Sequence, residues 1–116
     1  MTIQRMGTGK RMSAAVVHGS TIYLAGQVAE QTTERGVTEQ TAEILSIIDS
    51  LLKEAGSDKT KILSTTIYLS DIKTFAEMNL AWDAWVPQGH TPARATVEAK
   101  LAAPHYKVEI ALIAAK

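Results

Sequence analysis

The sequence predicts an α+β sandwich of order β-β-α-β-α-β-β, with two helices covering one face of a single sheet. Three observations predict it. Five segments are short and β-branched or alternate apolar with polar residues, and two others repeat apolar residues at helical spacing. No linker, repeat or low-complexity tract divides the 116 residues, so residues 1–116 are read as one domain.

The first two strands are residues 14–17 and 21–28, turning at His18-Gly19-Ser20, and a polar loop covers residues 30–36. A long helix follows over residues 38–55. Ile44, Ile48, Leu51 and Ala55 form its apolar stripe, widened by Leu45, Ile47 and Leu52. Thr38 is the candidate N-cap, Glu39 faces the positive end of the helix dipole, and Gly56 is a left-handed stop. Residues 62–69 alternate as a strand, with Leu63, Thr65, Ile67 and Leu69 on one side and Ser64, Thr66 and Tyr68 on the other.

A second helix opens at Thr74, which forms a capping-box pattern with Glu77. Phe75, Met78, Leu80, Ala81, Trp82 and Trp85 supply its apolar surface, and Pro87 ends it. Residues 93–101 and 108–114 are the closing strands. Both faces of the strands carry small and apolar residues, which points to burial of the second face by oligomerisation.

Composition excludes several function classes. Twelve acidic residues balance twelve basic ones without a basic stripe, which argues against a nucleic-acid surface. There is no cysteine, and His18, His90 and His105 lack ligand spacing, so no metal site is expected. The segment Met1 to Gly7 has no apolar run and no stretch reaches membrane-spanning length, so a cytoplasmic protein with no membrane association is expected.

Two charges stand where strands read as buried: Arg94 in Pro92-Ala93-Arg94-Ala95-Thr96-Val97-Glu98, and Glu109 in Lys107-Val108-Glu109-Ile110. Such charges cost free energy unless paired or solvated. An arginine fork suits a carboxylate, and a glutamate can activate water. The plainer alternatives are a structural ion pair for Arg94 and a partnership of Glu109 with Lys107 or Lys100. Tyr23, Trp82 and Trp85 read as packing residues, and His90 as a turn residue.

These residues resemble the RidA/YjgF family of imine deaminases over essentially the whole chain. The resemblance is carried by Ala25-Gly26-Gln27, Ala55-Gly56-Ser57, Ile67-Tyr68-Leu69, Phe75 and Pro92-Ala93-Arg94, with Glu109 following fifteen residues after the arginine. The stretch from Met78 to Val86, with Gly89-His90, is similar to a bacterial subgroup represented by YoaB. The resemblance implies a chorismate-mutase-like fold, a homotrimer with ligand clefts between subunits, and no cofactor. It also implies hydrolysis of 2-imino acids, or their enamine tautomers, to 2-oxo acids and ammonia.

By the same resemblance Arg94 grips the substrate carboxylate, Glu109 handles the water, and Gly26 lies in the corner whose backbone lines the cleft. Three positions depart from the family pattern: Thr96 stands where many members have cysteine, Ala25 where they have serine, and Met12 where a tyrosine commonly covers the ligand. Arg94 and Thr96 share one strand face. If the last two strands form a hairpin about Ala103-Pro104, Glu109 lies opposite Glu98, four residues or about 13 Å from Arg94. The alternatives are a ligand held from both ends, a different strand pairing, or a neighbouring subunit that supplies one group. Two rival functions remain: a binding or sensor protein for small carboxylates such as 2-oxo acids, and endoribonuclease activity, which the neutral charge disfavours.

Overall fold

Alternation along the strands sorts the apolar residues onto one face of a six-stranded sheet. In the computed structural model, which describes residues 1–116, the strands are β1 (Ile3–Met6), β2 (Ala15–His18), β3 (Thr21–Gln27), β4 (Ile62–Leu69), β5 (Ala93–Glu98) and β6 (Val108–Ala115). Their order across the sheet is β1-β2-β3-β6-β4-β5. Every neighbouring pair is antiparallel except β4 and β5, which run parallel. That parallel step needs a crossover, and helix α2 (Phe75–Trp85) supplies it.

Helix α1 (Val37–Glu54) lies beside α2 on the same side of the sheet, as predicted. Ile44, Leu45, Ile48 and Leu52 of α1 pack on Ile22, Leu24, Ile67, Val108, Ile110 and Leu112 of the strands, all buried. The opposite face carries Tyr23, Ser64, Thr66, Tyr68, Ala111 and Ile113, which its strand registers place together. Tyr23 and Ile113 there remain 46% and 37% exposed in the single chain.

Several predicted details differ in the structure. Strand β1 was not anticipated, because Ile3-Gln4-Arg5-Met6 is an exposed edge with no apolar alternation. The N-cap of α1 is Gly36 rather than Thr38, whose hydroxyl instead donates to the Glu77 carbonyl and ties the two helices. Gly56 does stop the helix, at φ +84°, with the Ser57 N–H reaching back to the Leu52 carbonyl.

At α2 no capping box forms. A 3₁₀ turn (Ile72–Thr74) precedes the helix, and the Thr74 hydroxyl donates to the Asp71 carbonyl. Leu63 points to solvent, because a bulge between Ile62 and Ser64 turns Ile62 inward in its place. Strand β5 stops at Glu98, short of the predicted residue 101.

The hairpin of the last two strands does not exist. β4 lies between β5 and β6 and pairs with both.

Two polar side chains of α1 secure the loops at its start. Gln40, fully buried, donates to the His105 carbonyl at 3.0 Å and accepts the Lys107 N–H at 3.0 Å, fixing the approach to β6. Glu43 accepts the N–H groups of Glu30, Gln31 and Thr32 and the Thr32 hydroxyl. Burial pushes the Glu43 carboxyl up, but these four donors outweigh it and hold the group below its ordinary value.

A carboxyl depressed in the folded state stabilises fully above its unfolded value, and that stabilisation is lost as pH falls through the folded value. Glu43→Gln should therefore lower the urea midpoint at neutral pH, and the gap from wild type should close below about pH 4. A gap independent of pH would show that the carboxylate charge is not what matters. Gln40→Leu leaves the His105 carbonyl and the Lys107 N–H unpaired and should cost about 2 kcal/mol in the same assay.

Candidate functional site

Arg94 is the second residue of the edge strand β5, in register with Thr65 of β4. Thr65 faces the helices, so Arg94, Thr96 and Glu98 face them too. The guanidinium lies against α2. Its Nη1 donates to Asn79 Oδ1 at 2.8 Å, and its carbon stands 5.6 Å from the Phe75 ring centre and 5.2 Å from that of Trp82. None of these partners carries a charge. The hydroxyls of Thr65 and Thr96 are buried on the same side and have no hydrogen-bond partner.

Glu109 is the second residue of β6 and pairs with Tyr68, which places it on the other face of the sheet. Its carboxylate lies directly over Gly26. A Cβ at Gly26 would collide with Glu109 Oε2 and stand 2.8 Å from Cδ. Gly26 is not among the glycines with positive φ, so what it supplies is space rather than an unusual backbone shape.

The corner around Gly26 is irregular, with the β3–β6 register shifting between Leu24 and Gln27. Ala25 donates its N–H to the Ala14 carbonyl and accepts the Gln27 side-chain amide at 2.9 Å. Met12 stands in the loop between β1 and β2, 58% exposed, with its carbonyl accepting the Gly9 N–H.

The structure therefore groups the sequence-predicted residues into two sets. Arg94 and Thr96 share the helix-covered face at one edge, while Glu109 and Gly26 share the open face. Counting along the shared strand β4, Arg94 and Glu109 are three residues and two strand spacings apart, about 14 Å between backbones. None of the three principal surface depressions is lined by either charged residue.

Asn79 was missed by the sequence reading. Its signal was present: Phe75, Asn79 and Trp82 are spaced to form one stripe of a helix. No group of three or more potential metal-ligating side chains comes together, and no helix is long and apolar enough to cross a membrane.

Comparison with known proteins adds to this geometry. The sequence model of the family described as endoribonuclease L-PSP matches residues 2–116. A RutC family protein from Haemophilus influenzae is 52% identical over 114 residues, covering 98% of each chain. The RutC family protein YoaB of Escherichia coli is 47% identical over 115 residues, covering 99% of each. A rat protein named 2-iminobutanoate/2-iminopropanoate deaminase is 34% identical over 107 residues, covering 88% of this chain and 77% of its own. Among solved structures, a YjgF-family protein from Neisseria meningitidis superposes with a TM-score of 0.97 at 49% identity, covering 100% of this chain and 96% of that one.

The atoms a Gly26 side chain would meet belong to the far end of a flexible side chain. Gly26→Ala should therefore leave the unfolding midpoint nearly unchanged yet displace the Glu109 carboxylate by about 1 Å, the distance needed to restore van der Waals contact. A crystal structure of the variant checks this. A carboxylate in its original place would mean that the backbone of β3 yields instead.

Proposed function

The chain belongs to the endoribonuclease L-PSP family, which its RutC and YjgF relatives share, and on that premise we propose that it hydrolyses small 2-imino acids or their enamine tautomers to 2-oxo acids and ammonia. The observation that carries the proposal is the state of Arg94. Its charge is held by an amide and two aromatic faces, so it remains available to an anion. The deaminase name of the rat relative supports the choice of substrate.

In this reading the Arg94 fork receives the substrate carboxylate, and the Thr96 hydroxyl, buried without a partner, offers a further hydrogen bond. A protonated imine carbon is already electrophilic, so a positioned base and water suffice. Glu109 takes a proton from water as the oxygen bonds to C2, giving a tetrahedral carbinolamine. It then returns the proton to nitrogen. Ammonia leaves as Glu109 takes the hydroxyl proton and the C2 carbonyl forms, and that proton then passes to the departing ammonia, giving ammonium. Gly26 gives the carboxylate its room, and in this reading Ala25 and Met12 would line the approach.

Arg94 and Glu109 lie on opposite faces of one sheet, so a small substrate meets both only if the site is completed between protomers. We place it in a homotrimer, with the open face carrying Tyr23, Ile113 and Val97 as the buried contact. Its setting would be the cytoplasm, where it would clear reactive imines released by other enzymes. A carboxylate-binding role without turnover is the alternative, because the Arg94 cradle is complete in a single chain whereas Glu109 lies elsewhere.

The test is to generate 2-iminobutanoate with a threonine dehydratase and follow its loss against semicarbazide trapping. Wild type should accelerate the loss. Arg94→Ala should lower kcat/KM by roughly 100-fold, and Glu109→Ala should lower kcat by roughly 100-fold while 2-oxobutanoate still binds. Saturable 2-oxobutanoate binding with no acceleration would establish the binding-only alternative. RNA cleavage that is lost in Arg94→Ala would turn the assignment to a nuclease.

A further inference from the structure

We infer that Asn79 is a positioning residue for anion recognition: it orients the Arg94 guanidinium through a neutral hydrogen bond and leaves its charge uncompensated for a ligand carboxylate. This rests on the reading of Arg94 as the carboxylate receptor.

Phe75, Asn79 and Trp82 occupy positions i, i+4 and i+7 of α2, one stripe down the helix, and all three address the same guanidinium. The two rings sit near it at 5.6 and 5.2 Å, Trp82 buried and Phe75 40% exposed, so the guanidinium is backed by the core at one end of the stripe and open to solvent at the other. Rings attract a cation weakly and over a broad range of angles. They do not set its rotation. The single directional contact is Asn79 Oδ1 with Nη1 at 2.8 Å. Because an arginine N–H can only donate, the amide must present its oxygen there, which settles the orientation of Asn79.

The choice of an amide over a carboxylate has a chemical consequence. Aspartate would fit nearly the same volume and hold Nη1 in the same place. It would also form an ion pair and compete with an incoming carboxylate for the same cation. The acid on the same face of β5, Glu98, is engaged away from the guanidinium, with its Oε1 accepting the Ile72 N–H at 3.0 Å. The local arrangement thus holds the guanidinium still without neutralising it.

The experiment compares wild type with Asn79→Asp and Asn79→Ser by thermal unfolding, by calorimetric titration with 2-oxobutanoate, and by turnover of 2-iminobutanoate. Asn79→Asp should unfold at or above the wild-type temperature while its Kd for 2-oxobutanoate and its KM for the imine rise about tenfold, with a much smaller change in kcat. Asn79→Ser keeps a short neutral acceptor and should show a smaller rise in Kd than Asn79→Asp.

A role in packing alone predicts the reverse order, with the isosteric aspartate milder than serine, and that result overturns the inference. So does an Asn79→Asp protein that binds 2-oxobutanoate within twofold of wild type. If wild type binds 2-oxobutanoate but does not hydrolyse the imine, the deaminase reading fails and the Kd values alone decide this one. If wild type binds no 2-oxobutanoate, both are overturned.

Discussion

Side-chain alternation across one sheet governs where the charged residues of this protein can act. Arg94 pairs with Thr65 and Glu109 pairs with Tyr68, and the odd separation of those two β4 residues puts the charges on opposite faces. A one-residue slip of β5 would carry Arg94 to the open face, away from Asn79, Phe75 and Trp82. The register is held beyond the strand itself. Glu98 accepts the Ile72 N–H, and the Ala99 N–H continues the pairing onto the Leu69 carbonyl. The position of the arginine is thus set by the crossover that delivers β5 as much as by the strand.

The second charged position is supported from a different direction. Gln40 takes the Lys107 N–H two residues before Glu109, and its amide donates to the His105 carbonyl, so the first turn of α1 fixes where β6 begins. The glycine opposite then admits the carboxylate at close range. Buried polar groups of this kind are stabilising only when fully partnered, and Gln40 is. Thr65 and Thr96 are the exceptions, with hydroxyls buried and unpartnered on the same side as Arg94, whose own partners carry no charge.

Much of the fold was legible in the residues. The stripe of α1 and its Gly56 stop, the two helices on one face, and the sorting of Arg94 and Thr96 onto one strand face follow from local periodicity. What was not legible was non-local or locally atypical. β1 is polar because it is an edge, and Leu63 breaks its own alternation because of a bulge. The pairing of β5 with β4, rather than with β6, depends on a crossover that no pair of neighbouring residues encodes. Asn79 escaped notice because an asparagine on a helix reads as a surface residue until its partner, fifteen positions away, is in place.

The claim on which the functional account turns is that a substrate meets Arg94 from one protomer and Glu109 from another. The most direct test mixes two variants each expected to be strongly impaired, Arg94→Ala and Glu109→Ala, after unfolding and refolding together, and assays 2-iminobutanoate hydrolysis. Random assembly of a ring should restore about a quarter of the native sites, each joining an intact arginine to an intact glutamate across an interface. Activity that stays at the level of the separate variants would contradict the account, because each catalytic pair would then reside within one chain.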